Sequence, residues 1–166
     1  GKQESATTAL ANVQATYQRR ADLLPNLTKT VKAYAKHEKE TFEAVTKART
    51  EATQIKLDAE SLTPEKLAAF QKAQGDVSAA FGRLMAIAEN YPELKASENF
   101  KDLQVQLEGT ENRINEARQK YNKAVQAYNQ SVRTMPNVLV AGIFGFEKMS
   151  KFEAAEGSEK APDLDI

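Results

Sequence analysis

A chain of 166 residues is long enough to bury roughly two thirds of its unfolded surface in one core, so no second domain is required. Its 23 lysines and arginines are balanced by 23 aspartates and glutamates, which leaves no net field to steer it toward phosphate backbones and argues against nucleic acid as a partner. The absence of cysteine removes disulfide frameworks, thiolate metal sites, thioether-linked haem and cysteine nucleophiles together, while leaving the compartment open.

Opening on Gly1 rather than Met, the chain reads as a processed form, and any signal or anchor before Lys2 lies beyond the sequence. The first apolar seam runs Leu10, Val13, Tyr17, Leu24, Leu27, Val31 and Tyr34, then less strictly Phe42, Val45, Ala48, Ala52 and Ile55. It crosses Pro25 in register, within the stretch YQRRADLLPNL from Tyr17 to Leu27. A proline inside a helix removes one backbone hydrogen bond and crowds the carbonyl four residues back, at about 3 kcal/mol. The unbroken spacing and the lack of a turn glycine favour a kink, whereas Asp22 suits the cap of a new helix starting near Leu23, so kink and tight break both stay open.

The second seam reads Leu67, Phe70, Gln74, Val77, Phe81, Leu84, Ala88 and Tyr91, with one polar interruption. Thr63 is placed to cap it, and Pro64 falls at the first helical position, where a missing N–H is harmless. Pro92 ends it after Tyr91. Ser97 offers the next cap, and a third seam follows: Phe100, Leu103, Leu107, Thr110, Ile114, Ala117, Tyr121, Ala124 and Tyr128, an alternating three and four spacing held for about four heptads. Pro136 closes that helix after Met135. Beyond it come the apolar strip Val138 to Phe146, about half of the ~20 residues a membrane-spanning helix needs, a short amphipathic piece around FEKMSKF and a polar stretch expected to be extended. The predicted organisation is a bundle over 1–135 with 136–166 as strip, short helical piece and tail of the same domain. The fold class is all-α: an antiparallel bundle of long helices, four-helix type, with a proline joint at Pro25 between the first two helical segments.

Chemistry-bearing constellations are absent from this pattern. A dinuclear metal bundle needs two Glu-x-x-His pairs with further carboxylates, and the chain has one histidine. His37 with Glu38, Glu40 and Glu43 resembles a ligand cluster, but the run KHEKETFE reads as a solvated charged face. Haem attachment, a Gly-x-Ser-x-Gly elbow and a P-loop have no matching residues. We therefore expect no catalytic residue, no metal site and no cofactor. The tyrosines fall at seam spacing and are expected in the core, and the terminal PDLDI ending in Ile166 is expected to be a disordered tail or one docked on its own bundle in preference to an extended ligand for a strand-adding domain.

Polar residues beside the seams carry the remaining information. With Leu107 and Thr110 as core positions, Gln104, Glu111 and Arg118 fall on one flanking row and Gln106, Arg113 and Lys120 on the other, the rows that choose partners by charge. One reading is internal pairing, with Glu111 or Asp22 meeting an arginine of another helix. The other is a polar patch for an outside protein, with Arg19, Arg20, Asp22 and Asn26 at the joint and Glu111, Asn112 and Arg113 on the last helix as partner-binding candidates. Adjacent helical residues point about 100° apart, so Arg19 and Arg20 cannot both be buried the same way.

The segments YQRRADLLPNL, TVKAYAKHEKET with VTKAR behind it, AQGDVSAAFGRLMAIAENYPELKA, NFKDLQVQLEGTENRINEARQKYNKAVQAYN and the closing FGFEK resemble the LemA family. They cover nearly the whole chain in order. The one departure is Leu10 where the family often has tryptophan, an apolar exchange. The resemblance implies an antiparallel bundle of long helices and an N-terminal transmembrane helix that holds the bundle on the extracytoplasmic side of a bacterial cell membrane. It implies no defined biochemical activity. The expectation is therefore a membrane-anchored extracytoplasmic scaffold or interaction module that engages an unidentified envelope protein. The alternative is a small-ligand or lipid-binding bundle, which requires a cavity of several hundred Å³ among Leu24, Phe81, Leu84 and Ile114.

Overall fold

A computed structural model describes residues 1–132 of the chain. They form five helices: α1 Lys2–Lys32, α2 Lys39–Gln54, α3 Pro64–Glu89, the short α4 Pro92–Ala96 and α5 Glu98–Val132. The part of the sequence reading that concerns 136–166 falls outside the described residues. α1 has 31 residues, a length of about 46 Å at the α-helical rise, and α5 packs antiparallel along it. Hydrogen bonds Tyr17 to Arg118 and Arg20 to Glu111 fix the register of this pair. α2 folds back on α1, and α3 returns parallel to it, so the four longer helices make the expected antiparallel bundle.

The punctuation acts where the sequence places it. The Thr63 hydroxyl accepts from the Lys66 N–H at 3.1 Å, with Pro64 opening α3. Ser97 serves two helices at once: its hydroxyl donates to the Leu94 carbonyl at 2.8 Å and accepts from the Phe100 N–H at 3.3 Å. The Leu94 carbonyl also accepts from the Ser97 N–H at 3.0 Å, so it is at the start of α5 that the hydroxyl satisfies a backbone group otherwise left open.

Of the two readings of the joint, the tight break is excluded: Pro25 lies inside α1, which continues to Lys32, and the chain reverses at 33–38, so the first two helices meet there and not at Pro25. Leu24, Leu27 and Val31 on either side of the proline are at most 2% exposed. Burial of this seam therefore outweighs the one backbone bond that the proline deletes. The reversal uses no glycine or proline: Tyr34 and Ala35 both donate to the Val31 carbonyl, at 3.0 and 2.9 Å, which tightens the last turn. Tyr34, read as part of the seam, is carried outward by this turn and is 40% exposed.

α2 is only 16 residues long, about half of α1. The rest of its side of the bundle is covered by the loop 55–63, where Leu57, Ala59 and Leu62 are buried. The Leu57 N–H donates to the Gln14 side chain and pins the loop to α1. The core accordingly has two halves. One gathers Leu24, Val31, Phe42, Val77, Phe81, Leu84 and Leu107. The other gathers Leu10, Val13, Tyr17, Leu62, Phe70, Ile114 and Tyr121.

Gly82 sits inside α3, and a Cβ built on it meets nothing within 4 Å. Glycine in a helix interior costs roughly 0.5–1 kcal/mol relative to alanine. Gly82→Ala is therefore expected to raise stability by about that amount, read as a higher urea midpoint at an unchanged slope. A lower midpoint would mean that α3 needs the missing side chain for packing.

Candidate functional site

Between the two core halves lies a polar layer centred on Arg20. The same spacing that buries Tyr17 and Leu24 aims Arg20 into the bundle, where it is 3% exposed, the one charged residue among the described residues that is buried. Its Nη2 donates to the Gln74 side-chain oxygen at 3.0 Å and to the Gln74 carbonyl at 2.9 Å. Its Nη1 donates to Ser78 Oγ at 3.1 Å and to Glu111 Oε1 at 3.2 Å. Three helices, α1, α3 and α5, thus meet on one guanidinium. The planar fork suits this work, because its donors point in fixed directions toward several acceptors at once.

The layer continues through Tyr17. The guanidinium carbon of Arg20 lies 5.2 Å from the centroid of the Tyr17 ring, a cation–π arrangement. That ring meets Phe70 edge-on, with centroids 5.2 Å apart and planes at 86°. The Tyr17 hydroxyl accepts from Arg118 Nη1 at 2.9 Å, and Arg118 Nη2 donates to Asn115 at 2.9 Å. The Arg20 Nε–H is buried without a hydrogen-bond partner among the described residues.

The seven partner candidates divide. Arg20 and Glu111 come together, and Glu111 remains 31% exposed at the side chain. Arg20 is corrected as a partner contact: it points inward because it shares the seam of Tyr17 and Leu24, and no outside protein reaches its bonded nitrogens. Asp22 is turned to the surface and held by Arg49 of α2 at 3.4 Å and by Gln18 at 3.3 Å. Arg19, Asn26, Asn112 and Arg113 are exposed. Arg19 and Asn26 are seven residues apart on α1 and therefore share a face, while Asn112 and Arg113 lie on α5 level with the Arg20 layer. Gln74 and Ser78 are the functional residues that sequence reasoning missed. Gln74 had already stood out as the polar interruption of the second seam; Ser78 carried no signal.

His37 is exposed, and among the described residues no group of three or more His, Asp or Glu is arranged to hold a metal ion. Leu24, Phe81, Leu84 and Ile114 are at most 1% exposed, and three open grooves on the outside of the bundle are lined by none of these four. The packing does not favour an interior ligand chamber there. No helix among the described residues is long and apolar enough to cross a membrane.

A family model described as the LemA family matches residues 9–165. The chain is also 30% identical over 80 residues to the magnetosome protein MamQ of Magnetospirillum gryphiswaldense, a stretch that is 48% of this chain and 29% of that protein. It is 30% identical over 81 residues to the magnetosome protein MamQ 2 of Paramagnetospirillum magneticum, 49% of this chain and 30% of the relative. The matched stretch thus spans less than a third of these curated relatives.

Proposed function

The chain belongs to the LemA family, and from that premise we propose that it is a membrane-anchored helical scaffold on the extracytoplasmic side, engaging an envelope protein through outward helix faces and performing no catalysis. The observation that carries this reading is the division of the polar residues around Arg20. The inward group is consumed by internal hydrogen bonds, whereas Arg19, Asn26, Asn112 and Arg113 at the same level remain exposed on α1 and α5. A bundle held rigid from within and polar at its waist suits protein contact, since exposed arginines beside amides supply charge and hydrogen bonds on a fixed scaffold.

An anchor before α1 belongs to this reading and is supported by what resemblance to the family implies. The antiparallel pairing of α1 with α5 brings Gly1 and Val132 to the same end of the bundle, which leaves the length of both helices free to project from a membrane surface. Similarity to proteins named for the magnetosome supports a membrane association and says nothing about cargo.

The test is cross-linking of the full-length protein in its native membrane, with Arg19→Glu/Arg113→Glu beside the wild type. The expected result is a specific cross-linked species that the double variant loses by at least tenfold while its melting temperature stays within about 2 °C, as for surface substitutions. Either of two results would overturn the reading: no cross-link under conditions that recover known complexes, or the same cross-link from the double variant.

A further inference from the structure

At the end of the bundle away from Gly1, the reversal between α1 and α2 leaves an open groove of ≈ 600 Å³. Its lining includes Lys32, Lys36, Lys39 and Lys47 against a single acid, Glu43, with Phe42 as the apolar floor. Four lysines against one glutamate is a formal excess of three positive charges, on a chain whose net charge is zero. Lys39 and Glu43 approach only to 3.9 Å, with side chains 86% and 67% exposed, a geometry that neutralises little. Lys32 Nζ stands 5.3 Å from the centroid of the Phe42 ring. Its methylenes, like those of the neighbouring lysines, add apolar wall below charged tips.

From this juxtaposition we propose that the lysine groove at the α1–α2 reversal is a docking site for an acidic, apolar-containing peptide segment of a partner protein. Carboxylates at the rim meet the ammonium groups, and an intervening apolar side chain covers Phe42 and the lysine stems. A nucleic acid fits less well: the groove has no arginine, carries a carboxylate in its wall and sits on a molecule with no net positive field. The site is separate from the Arg19 and Arg113 faces and does not depend on them.

The test uses the 166-residue chain and a fluorescein-labelled decapeptide of alternating glutamate and leucine, followed by anisotropy. Lys36 and Lys47 line the groove, and among the described residues no hydrogen bond or ion pair is found for either side chain, so Lys36→Glu/Lys47→Glu is expected to reverse charge without undoing the fold, a point checked by circular dichroism. The control is Lys66→Glu/Lys101→Glu, on exposed residues outside the groove. The expected result is saturable binding that weakens at least tenfold in the groove variant, stays within twofold in the control and falls as salt is raised. Absence of saturable binding to the wild type, or equal loss in both variants, would overturn the proposal. So would vesicles of phosphatidylglycerol that bind through Lys36 and Lys47 when the peptide does not, because the groove would then be a lipid contact.

Discussion

Arg20→Ala is expected to destabilise the folded chain by about 3 kcal/mol, the low end of what removal of one partner from a buried, hydrogen-bonded ion pair costs. The low end applies because Glu111 is 31% exposed and can turn to water once its partner is gone. Gln74, at 2% exposure, has no such escape, and its amide would be left buried and unsatisfied. The guanidinium also fills space beside Tyr17, so truncation opens a void against that ring. In thermal unfolding the loss corresponds to roughly 6–12 °C for a domain of this size. Arg20→Lys should recover only part of it, because an ammonium cannot reach acceptors on both α3 and α5 with the geometry of the fork. Arg19→Ala, one position away and exposed, should change stability by less than about 0.5 kcal/mol. Comparable losses at positions 19 and 20 would contradict the burial pattern.

Pro25→Ala should have the opposite sign. Proline in a helix interior costs about 3 kcal/mol, and part of that returns through the restricted unfolded chain, worth roughly 0.4–1 kcal/mol. Pro25 is exposed within a continuous α1, so its replacement deletes no core packing and restores the donor to the carbonyl four residues back. A net gain of about 2 kcal/mol is expected, measured by urea denaturation monitored at 222 nm. A loss would show that α1 depends on the proline to seat Leu24 and Leu27 against α2 and α3.

The helix seams were legible because burial imposes a period that local sequence must obey. Leu67, Phe70, Val77, Phe81 and Leu84 occupy the α3 face that their spacing predicts, and Phe100, Leu107, Ile114 and Tyr121 do the same on α5. Caps were legible for a similar reason: Thr63 and Ser97 act on amides three residues away. The reversal at 33–38 was not, since the last turn of α1 is closed by backbone bonds to the Val31 carbonyl and contains no residue that demands a turn. The buried residues on either side of it, Ala35 and Phe42, are one heptad apart, so the spacing itself hides the break. The loop 55–63 was invisible too, because Leu57 and Leu62 have no periodicity and are buried only by the shortness of α2.

The candidate site was half legible. Two adjacent arginines on a helix cannot share one environment, and the seam assigns Arg20 to the inside. What it bonds to is set by α3 and α5, through contacts 54 and 91 positions away in the chain. Gln74 looked like a flaw in an apolar seam. With Ser78 and Glu111 it is one of the acceptors that make burial of the Arg20 charge tolerable, and neither Arg20 nor Gln74 explains itself alone.

That interdependence is the central claim, and a double-mutant cycle between Arg20→Met and Gln74→Leu tests it most directly. Each single change strands a buried polar group, whereas the pair replaces both partners with apolar side chains of similar size. The expected outcome is a double variant at least about 1 kcal/mol more stable than the sum of the single losses predicts. Losses that simply add would contradict the account, because Arg20 and Gln74 would then be two independent residues and not one tie across the waist of the bundle.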